Sequence, residues 1–257
     1  MEYLIIGIVA FIASLLSFFS GFGLGTLLLP AFAVFFPVDI AISLTAVVHF
    51  LNNIVKFLLT GKKVNRQVYL RFGLSAIPAA FAGAFLLVYL TGIQREIPLE
   101  ILGLHFTIIP VNAVIGAVMI VFAWMDLNKN FNKLSIPKSK LWLGGILSGF
   151  FGGLSGHQGA LRSVFLINFG LSKESFVATG IAIALTVDLV RMGVYTTKYT
   201  QSGISDYTSI LLVALLAAFS GAIIGRILLK KITIQFIRSI VAILLIVVGF
   251  GLITGLI

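Results

Sequence analysis

The sequence predicts an all-α integral membrane protein, and two observations carry that prediction. Of its 257 residues, 60% are hydrophobic and only 10% are charged, whereas soluble domains average about 25% charged residues. Apolar runs of roughly 20 residues recur along the whole chain, and each is long enough to cross about 30 Å of hydrocarbon as a helix. We therefore expect one membrane domain and no soluble domain of any size.

The first apolar segment, residues 3 to 36, is too long for one simple span. It follows Glu2, which stands where a signal peptide would carry positive charge, so we interpret it as a retained membrane segment. Its middle reads "FSGFGLGTLLLP" (19–30), and glycines at alternate positions weaken a helix and expose its backbone. Such backbone is tolerated at membrane depth only where protein buries it or water lines it.

Six simple spans and a second glycine-broken segment follow. Each span is predominantly apolar and bounded by polar loops. The second broken segment, residues 141 to 170, contains "GFFGGLSGHQGALR" (149–162) near its middle. The predicted spans are residues 38–60, 69–91, 104–125, 174–196, 207–229 and 233–255.

Basic residues cluster in three loops, and the positive-inside bias places these loops in the cytoplasm. The net charge of +10 is therefore explained by the membrane topology of the chain, and we expect no nucleic-acid partner. The loops near 92–103 and 197–206 are poor in basic residues and belong outside. Segments 3–36 and 141–170 must then each return to the side where they start. Each is a hairpin, either of two half-spanning helices or of two thin full spans, and both chain termini are external. The basic loop residues are Lys62, Lys63, Arg66, Arg71, Lys129, Lys133, Lys138, Lys140, Arg226, Lys230 and Lys231.

The two halves of the chain are related. An alignment of residues 17–30 with 149–162 pairs Gly21 with Gly153. Further along the chain, "FAGAFLL" (81–87) corresponds to "FSGAIIGRILL" (219–229). We predict a first membrane repeat at 1–125, a cytoplasmic basic linker at 126–140 and a second membrane repeat at 141–257. Each repeat is a glycine-broken helical hairpin followed by three transmembrane helices, and the two are inverted. Chance convergence of apolar composition is the alternative.

Inverted repeats with broken elements in matching positions are typical of secondary transporters, whose site lies near the midplane between the repeats. The free amides of a helix N-terminus carry partial positive charge, so a glycine break presents donors to an anion. The alternative is that the glycines only let helices pack closely. The candidate anion-binding glycines are Gly23, Gly25, Gly156 and Gly159.

The glycine-rich "SGFGLGTLLLP", followed by "AIS" (41–43), resembles the sulfite exporter TauE/SafE family, whose repeats open with such a motif ending in proline. The second copy, residues 148–162 followed by "VATGIA" (177–182), matches in the same order. The resemblance implies a multi-pass transporter of small sulfur-containing anions, such as sulfite, sulfonates or related organosulfur acids, in a bacterial inner membrane, with export as the expected direction. Arg162 stands at the place of Pro30, which leaves the particular substrate open.

Placing an ionisable side chain inside the hydrocarbon of the membrane costs free energy, so each such residue is expected to have a functional or structural role. Arg162 is the expected main substrate cation, because a planar guanidinium offers paired donors to oxyanions; a structural ion pair is the alternative. His157 and Gln158 sit at the second hairpin tip. They either add donors to the site, with His157 carrying a coupling proton, or cap the broken helix.

Two spans also carry polar residues. Asp188 and Arg191 are three apart on one helical face and can pair, either structurally or within the site. Asn52 aligns with Asp188 when the two repeats are compared. Asn53 is next to Asn52, and His49 lies one helical turn away. Both helices are therefore expected to direct polar side chains to the same internal region of the protein. Substrate contacts are expected from Asn52, Asn53 and Arg191, and coupling protons from Asp188, His157 or His49.

Three further polar residues are candidates, of which Lys56 is the weaker and Ser43 and Thr179 are expected to contact the substrate. Lys56 is a turn from the cytoplasmic end of its span and can snorkel. Ser43 and Thr179 begin the paired helices, where each hydroxyl either bonds an oxyanion or caps its helix.

The leading function is secondary transport of small anions by alternating access. A carrier or channel for another anion, such as a carboxylate, is the alternative. An intramembrane enzyme built on Ser155, His157 and Asp188 is weaker, because no nucleophile elbow or metal-ligand pattern supports it, so we expect no enzyme, cofactor or metal. The chain has no cysteine, which excludes disulfides. The expected partners are the anion, the lipid bilayer and, as an open prediction, a second copy in a homodimer.

Overall fold

The computed structural model describes residues 1–20, 24–93, 95–101, 104–128, 131, 134, 136–199, 204–228 and 234–257. These ranges are almost entirely helical, and five of their helices are long and apolar enough to cross a membrane. The all-α membrane fold class is thereby confirmed. Gly21, Gly23 and four loop lysines (Lys129, Lys133, Lys230 and Lys231) lie outside the described residues.

Ten helices follow one another in the described ranges, with one strand pair between the fourth and fifth. The helices are α1 (Glu2–Ser20), α2 (Leu24–Ala33), α3 (Val38–Thr60), α4 (Arg66–Gly92), α5 (Pro110–Leu127), α6 (Leu141–Ser155), α7 (Gly159–Leu166), α8 (Lys173–Tyr199), α9 (Thr208–Leu228) and α10 (Ile234–Thr254); the strands are β1 (Ile97–Ile101) and β2 (Leu104–Ile108).

The predicted span 104–125 was wrong at its start. Residues 104–108 instead form β2, which pairs antiparallel with β1 in the register Ile97 to Ile108. The helix begins only at Pro110, where proline's fixed φ suits the first helical position and pushes Ile109 into an extended conformation. Apolar composition alone did not distinguish this strand from the start of a helix.

Each broken segment combines one long arm and one short arm. In the first, α1 has 19 residues and α2 has 10; in the second, α6 has 15 and α7 has 8. At 1.5 Å per residue, α2 and α7 rise only about 15 and 12 Å, roughly half the hydrocarbon thickness. A 3-10 turn, Ile167–Phe169, continues the second short arm. The two arms of each hairpin are therefore unequal in length, a feature that neither predicted alternative, two half-spanning helices or two thin full spans, included.

Each long hairpin arm packs against the other half of the chain. Helix α1 lies on α9, and α6 lies on α4, while α3 contacts α8 and α5 contacts α10. Exchanging the two halves converts the α1–α9 pair into the α6–α4 pair, and it leaves the α3–α8 and α5–α10 pairs unchanged. This pattern agrees with an internal repeat, and the inverted orientation of the halves stays a prediction.

Glycines permit the closest of these contacts. A Cβ atom on Gly83 of α4 would collide with the backbone carbonyl of Phe150 in α6, and one on Gly221 of α9 with that of Phe11 in α1. Gly149 and Gly153 of the second motif approach the α4 backbone in the same way. Part of the glycine pattern therefore serves close helix packing, as small residues do in membranes.

Candidate functional site

A buried polar network forms where α3 and α8 face each other, and Asp188 is at its centre. One carboxylate oxygen of Asp188 lies 2.6 Å from His49 Nδ1 and 3.3 Å from Asn53 Nδ2. The other lies 2.8 Å from a guanidinium nitrogen of Arg191 and 3.5 Å from Gln158 Nε2. The Asp188–Arg191 pair that the sequence spacing permits is therefore present, and a fully buried carboxylate holds two helices and the second hairpin tip together.

Gly156 supports this network. It ends α6 with a left-handed backbone, at φ 82°, where a side chain would be strained. Its N–H bonds to the carbonyl of Gly152 at 3.0 Å, so this amide is not available to an anion as predicted. The guanidinium of Arg191 occupies the space that a Cβ at position 156 would need. Gly156 thus provides room for Arg191, and Gly159 opens the following helix α7.

The two glycine motifs meet at this point. Gly25 of α2 is buried, and a Cβ on it would lie 3.6 Å from the carbonyl oxygen of Gly156 and 3.8 Å from the His49 ring. The structure thus brings the first hairpin against the tip of the second, beside the Asp188 network. Gly23, the other candidate in the first motif, lies outside the described residues.

A small cavity of about 30 Å³ adjoins the network. That volume exceeds the roughly 10–15 Å³ that one water molecule requires. Arg162 lines the cavity with only 8% of its surface exposed, and its NH1 nitrogen has no hydrogen-bond partner among the described residues. The lining residues are Ser17, Leu24, His49, Asn53, Lys56, Arg162, Ser163, Phe176, Val177, Gly180, Ile181 and Ala184.

Lys56 lines the same cavity, and the prediction that it snorkels was wrong. Its side chain is only 2% exposed, and its Nζ contacts Ser17 Oγ on α1. Lys56 follows His49 by two turns and Asn53 by three residues, so all three point from α3 into the protein. This spacing in the sequence indicates that Lys56 shares the inward face of α3 with His49 and Asn53. It is the better guide to the position of Lys56 than the short distance from the membrane edge.

Asn52 points away from the cavity and links helices. Its amide lies 3.0 Å from Ser14 Oγ on α1. Oriented so that both of its ends are satisfied, it donates to the Ala218 carbonyl on α9 at 3.2 Å and accepts from Lys56 Nζ at 2.9 Å. Asn52 therefore positions Lys56, while Asn53 lines the cavity itself.

Ser43 and Thr179 do not begin their helices as predicted, because α3 starts at Val38 and α8 at Lys173. Ser43 Oγ donates within α3 to the Asp39 carbonyl at 2.8 Å. Thr179 Oγ1 accepts from the backbone N–H of Asn65 at 2.9 Å, which ties the basic 61–71 loop to α8. Neither residue caps its helix, and neither is among those lining the cavity.

His157, at the hairpin tip, is not among the residues that line the cavity. Its Nδ1 is 3.0 Å from Ser155 Oγ, its ring packs on Phe122 with centroids 5.4 Å apart, and its Nε2 has no partner among the described residues. The Asp188 oxygens contact four other side chains, so the Ser155–His157–Asp188 arrangement considered for an enzyme is not assembled.

The site carries more buried positive than negative charge. Lys56, Arg162 and Arg191 supply three cationic side chains around the cavity and the network, and Asp188 supplies one carboxylate. Buried charge is costly unless it is balanced. An anion in the cavity would offset part of this excess positive charge.

Comparison with known families gives the same result. The sequence model of the sulfite exporter TauE/SafE family matches residues 6–252, nearly the whole chain. The chain therefore belongs to this family of membrane transporters, and the resemblance seen in the glycine motifs is confirmed. No curated protein matches the chain.

Proposed function

We propose that this protein is a secondary transporter that moves sulfite, sulfonates or related organosulfur acids across the bacterial inner membrane by alternating access, in the export direction. Family membership supports the class of substrate. One observation supports the assignment of the site: Arg162 is buried beside a cavity, and one of its guanidinium nitrogens has no partner in the described part of the chain.

The chemistry of the cavity suits a small oxyanion. Guanidinium groups form paired, charge-assisted hydrogen bonds to oxyanions, and an ammonium adds a compact positive charge. Arg162 and Lys56 supply both. The hydroxyls of Ser17 and Ser163 in the same lining donate to the carbonyls of Ser14 and Gly159, at 2.7 and 2.8 Å, so the two cations are the groups offered to an anion. A small carboxylate presents similar oxygens, and for this reason a carboxylate carrier is the second candidate.

The position of the cavity supports loading from the cytoplasm. Phe176 and Val177, at the start of α8, form part of its lining. The neighbouring Thr179 is bonded to Asn65 in a loop that the positive-inside bias places in the cytoplasm. An exporter must accept its substrate from that side.

His49 offers a route for proton coupling. Its ring lines the cavity while its Nδ1 contacts Asp188. Histidine exchanges protons near neutral pH, so a proton entering with the substrate can reach the buried carboxylate through this ring. This assigns the coupling role to His49 and Asp188 in preference to His157.

The test is sulfite flux in proteoliposomes with Arg162→Ala, Arg162→Lys and the control Arg71→Ala, since Arg71 is exposed. Loss of a buried charged partner costs about 2 kcal/mol or more, so we expect Arg162→Ala to lower flux by about 30-fold or more. The Lys variant should retain part of it and the control all of it. Wild-type flux in a folded Arg162→Ala protein would disprove the site.

Substrate choice is tested separately by thermal stabilisation of the purified protein. A ligand that binds the folded state raises its unfolding midpoint. We expect sulfite or a sulfonate to stabilise the wild type more than sulfate or small carboxylates do, and to lose this effect in Arg162→Ala. Stronger stabilisation by a carboxylate would favour the second candidate.

A further inference from the structure

A second and larger cavity opens on the outer side of the α3–α8 pair. It encloses about 690 Å³, within the roughly 300–1,000 Å³ range of ligand pockets. It shares no lining residue with the cavity of Arg162, so what it binds is independent of the proposed transport site. The residues that line this groove are Phe50, Ile54, Phe57, Gly61, Lys62, Val64, Arg66, Tyr69, Leu70, Ala182, Leu185, Thr186 and Leu189.

The groove is apolar along its length and cationic at one end. Its walls are aromatic and aliphatic side chains, with Phe57 37% and Leu189 64% exposed. Lys62 and Arg66 are exposed at the end formed by the short loop between α3 and α4. Inside the groove, Tyr69 Oη and Thr186 Oγ1 satisfy each other at 2.9 Å. The polar chemistry available to a ligand is therefore concentrated at the cationic end.

We propose that this groove binds one anionic phospholipid of the cytoplasmic leaflet. An acyl chain would lie along Phe50, Ile54 and Leu185, and the headgroup phosphate would contact Lys62 and Arg66. Basic pockets between membrane helices on the cytoplasmic side are suited to anionic headgroups, and arginine gives a phosphate paired donors.

Charge favours a lipid over a second copy of the chain as the occupant. Two copies related by a two-fold axis along the membrane normal would place their Lys62 and Arg66 side chains in the same leaflet at one interface. Like charges brought together in that way repel. A phosphate neutralises the same two cations.

The lipid would contact the helix that carries the polar network. On α3, Phe50, Ile54 and Phe57 each follow His49, Asn53 and Lys56 by one residue, which is a rotation of about 100° around the helix. The groove and the polar network are therefore adjacent faces of one helix. A lipid in the groove should hold α3 and α8 together from outside.

Native mass spectrometry of the full-length protein tests the headgroup contact. The probes are dioleoyl-phosphatidylglycerol and dioleoyl-phosphatidylcholine, added separately. Each cation near a phosphate contributes about five-fold to affinity, so we expect Lys62→Gln/Arg66→Gln to weaken phosphatidylglycerol binding by about 30-fold. The matched control, Lys140→Gln/Arg71→Gln, removes one lysine and one arginine that are exposed elsewhere and should leave binding unchanged.

Equal retention of the two lipids by the wild type would overturn the proposal, as would unchanged phosphatidylglycerol binding in Lys62→Gln/Arg66→Gln. Size-exclusion profiles and circular dichroism verify that each variant is folded.

Photo-crosslinking identifies the occupant while the cationic end of the groove, Lys62 and Arg66, stays intact. Because the chain has no cysteine, Leu185→Cys can carry a single benzophenone label in vesicles that contain phosphatidylglycerol. We expect adducts of phosphatidylglycerol in excess of its share of the lipid, with Leu216→Cys, exposed at 66% on α9, as the bulk-lipid control. A cross-linked protein dimer at Leu185 would show instead that a second copy fills the groove.

Discussion

At the scale of single residues, the stability of the site depends on Asp188, whose carboxylate contacts four buried side chains. Asp188→Asn removes the charge that balances Arg191, and breaking a buried pair costs about 3–5 kcal/mol. We expect a clear drop in the unfolding midpoint, measured by thermal denaturation in detergent. Glu100→Gln is the control, because Glu100 and His105 form an exposed, 4.0 Å pair that contributes little.

A double-mutant cycle separates the ion pair from other effects of the substitution. Asp188→Asn combined with Arg191→Gln removes both members of the ion pair, so its loss of stability should be smaller than the sum of the two single losses, by about 1–3 kcal/mol. Additive losses would mean that the two side chains do not stabilise each other.

Lys56 gives a prediction about substrate. Lys56→Met keeps the apolar stem and removes the ammonium, so sulfite flux in proteoliposomes should fall about ten-fold or more, since a hydrogen bond to a charged group contributes about 1.5–3 kcal/mol. Lys56→Arg should retain part of the flux. Lys63→Met removes an exposed charge from the adjacent loop and should not change sulfite flux. Equal losses of flux in Lys56→Met and Lys63→Met would show that Lys56 has no specific role in transport.

The sequence predicted part of this site. The repeat alignment brought the polar residues of α3 towards Asp188, and the structure places His49 and Asn53 within contact of it, although they are more than 130 residues apart. The burial of Lys56 was missed because snorkelling was judged from distance to the membrane edge alone. Within the described ranges the NH1 nitrogen of Arg162 has no partner, and this depends on tertiary contacts that no local sequence pattern contains.

At the scale of elements, the close approach of α4 to α6 depends on Gly83. A methyl group there would collide with backbone atoms, which cannot move as a flexible side chain can. We expect Gly83→Ala to lower the unfolding midpoint clearly. Gly193→Ala on α8 is the control, because no atom of the described residues lies within 4 Å of a Cβ there and alanine in a helix is favoured over glycine by about 0.5–1 kcal/mol. Similar midpoints for both variants would contradict this contact.

Most helices could be predicted because a membrane span has a length and a polarity that few other segments share. The predicted span 38–60 coincides with α3 (Val38–Thr60). The strand pair was missed because β2 is as apolar as a helix start, and only Pro110 marks the boundary. The unequal hairpin arms were missed because hydropathy gives the length of an apolar run, while the point where the chain turns depends on packing.

At the scale of the whole molecule, the orientation in the membrane is the main untested prediction. The absence of native cysteines permits labelling of single cysteines with a membrane-impermeant maleimide. Glu96→Cys and Leu256→Cys should react in intact cells, because the loop near 92–103 and the C-terminus are predicted to be external. Lys63→Cys should react only after the membrane is opened. Labelling of Lys63→Cys in intact cells would show that the orientation is the reverse of the predicted one.

The position of Gly25 has a consequence for conformational change. A Cβ on Gly25 would lie at an ordinary van der Waals distance, 3.6 Å, from the carbonyl oxygen of Gly156, so a space of about one methyl group separates the two short-armed hairpins here. Main-chain atoms lie on both sides of this space. Its width therefore changes only when α2 moves relative to the tip of the second hairpin, and rotation of a side chain at position 25 or 156 cannot change it.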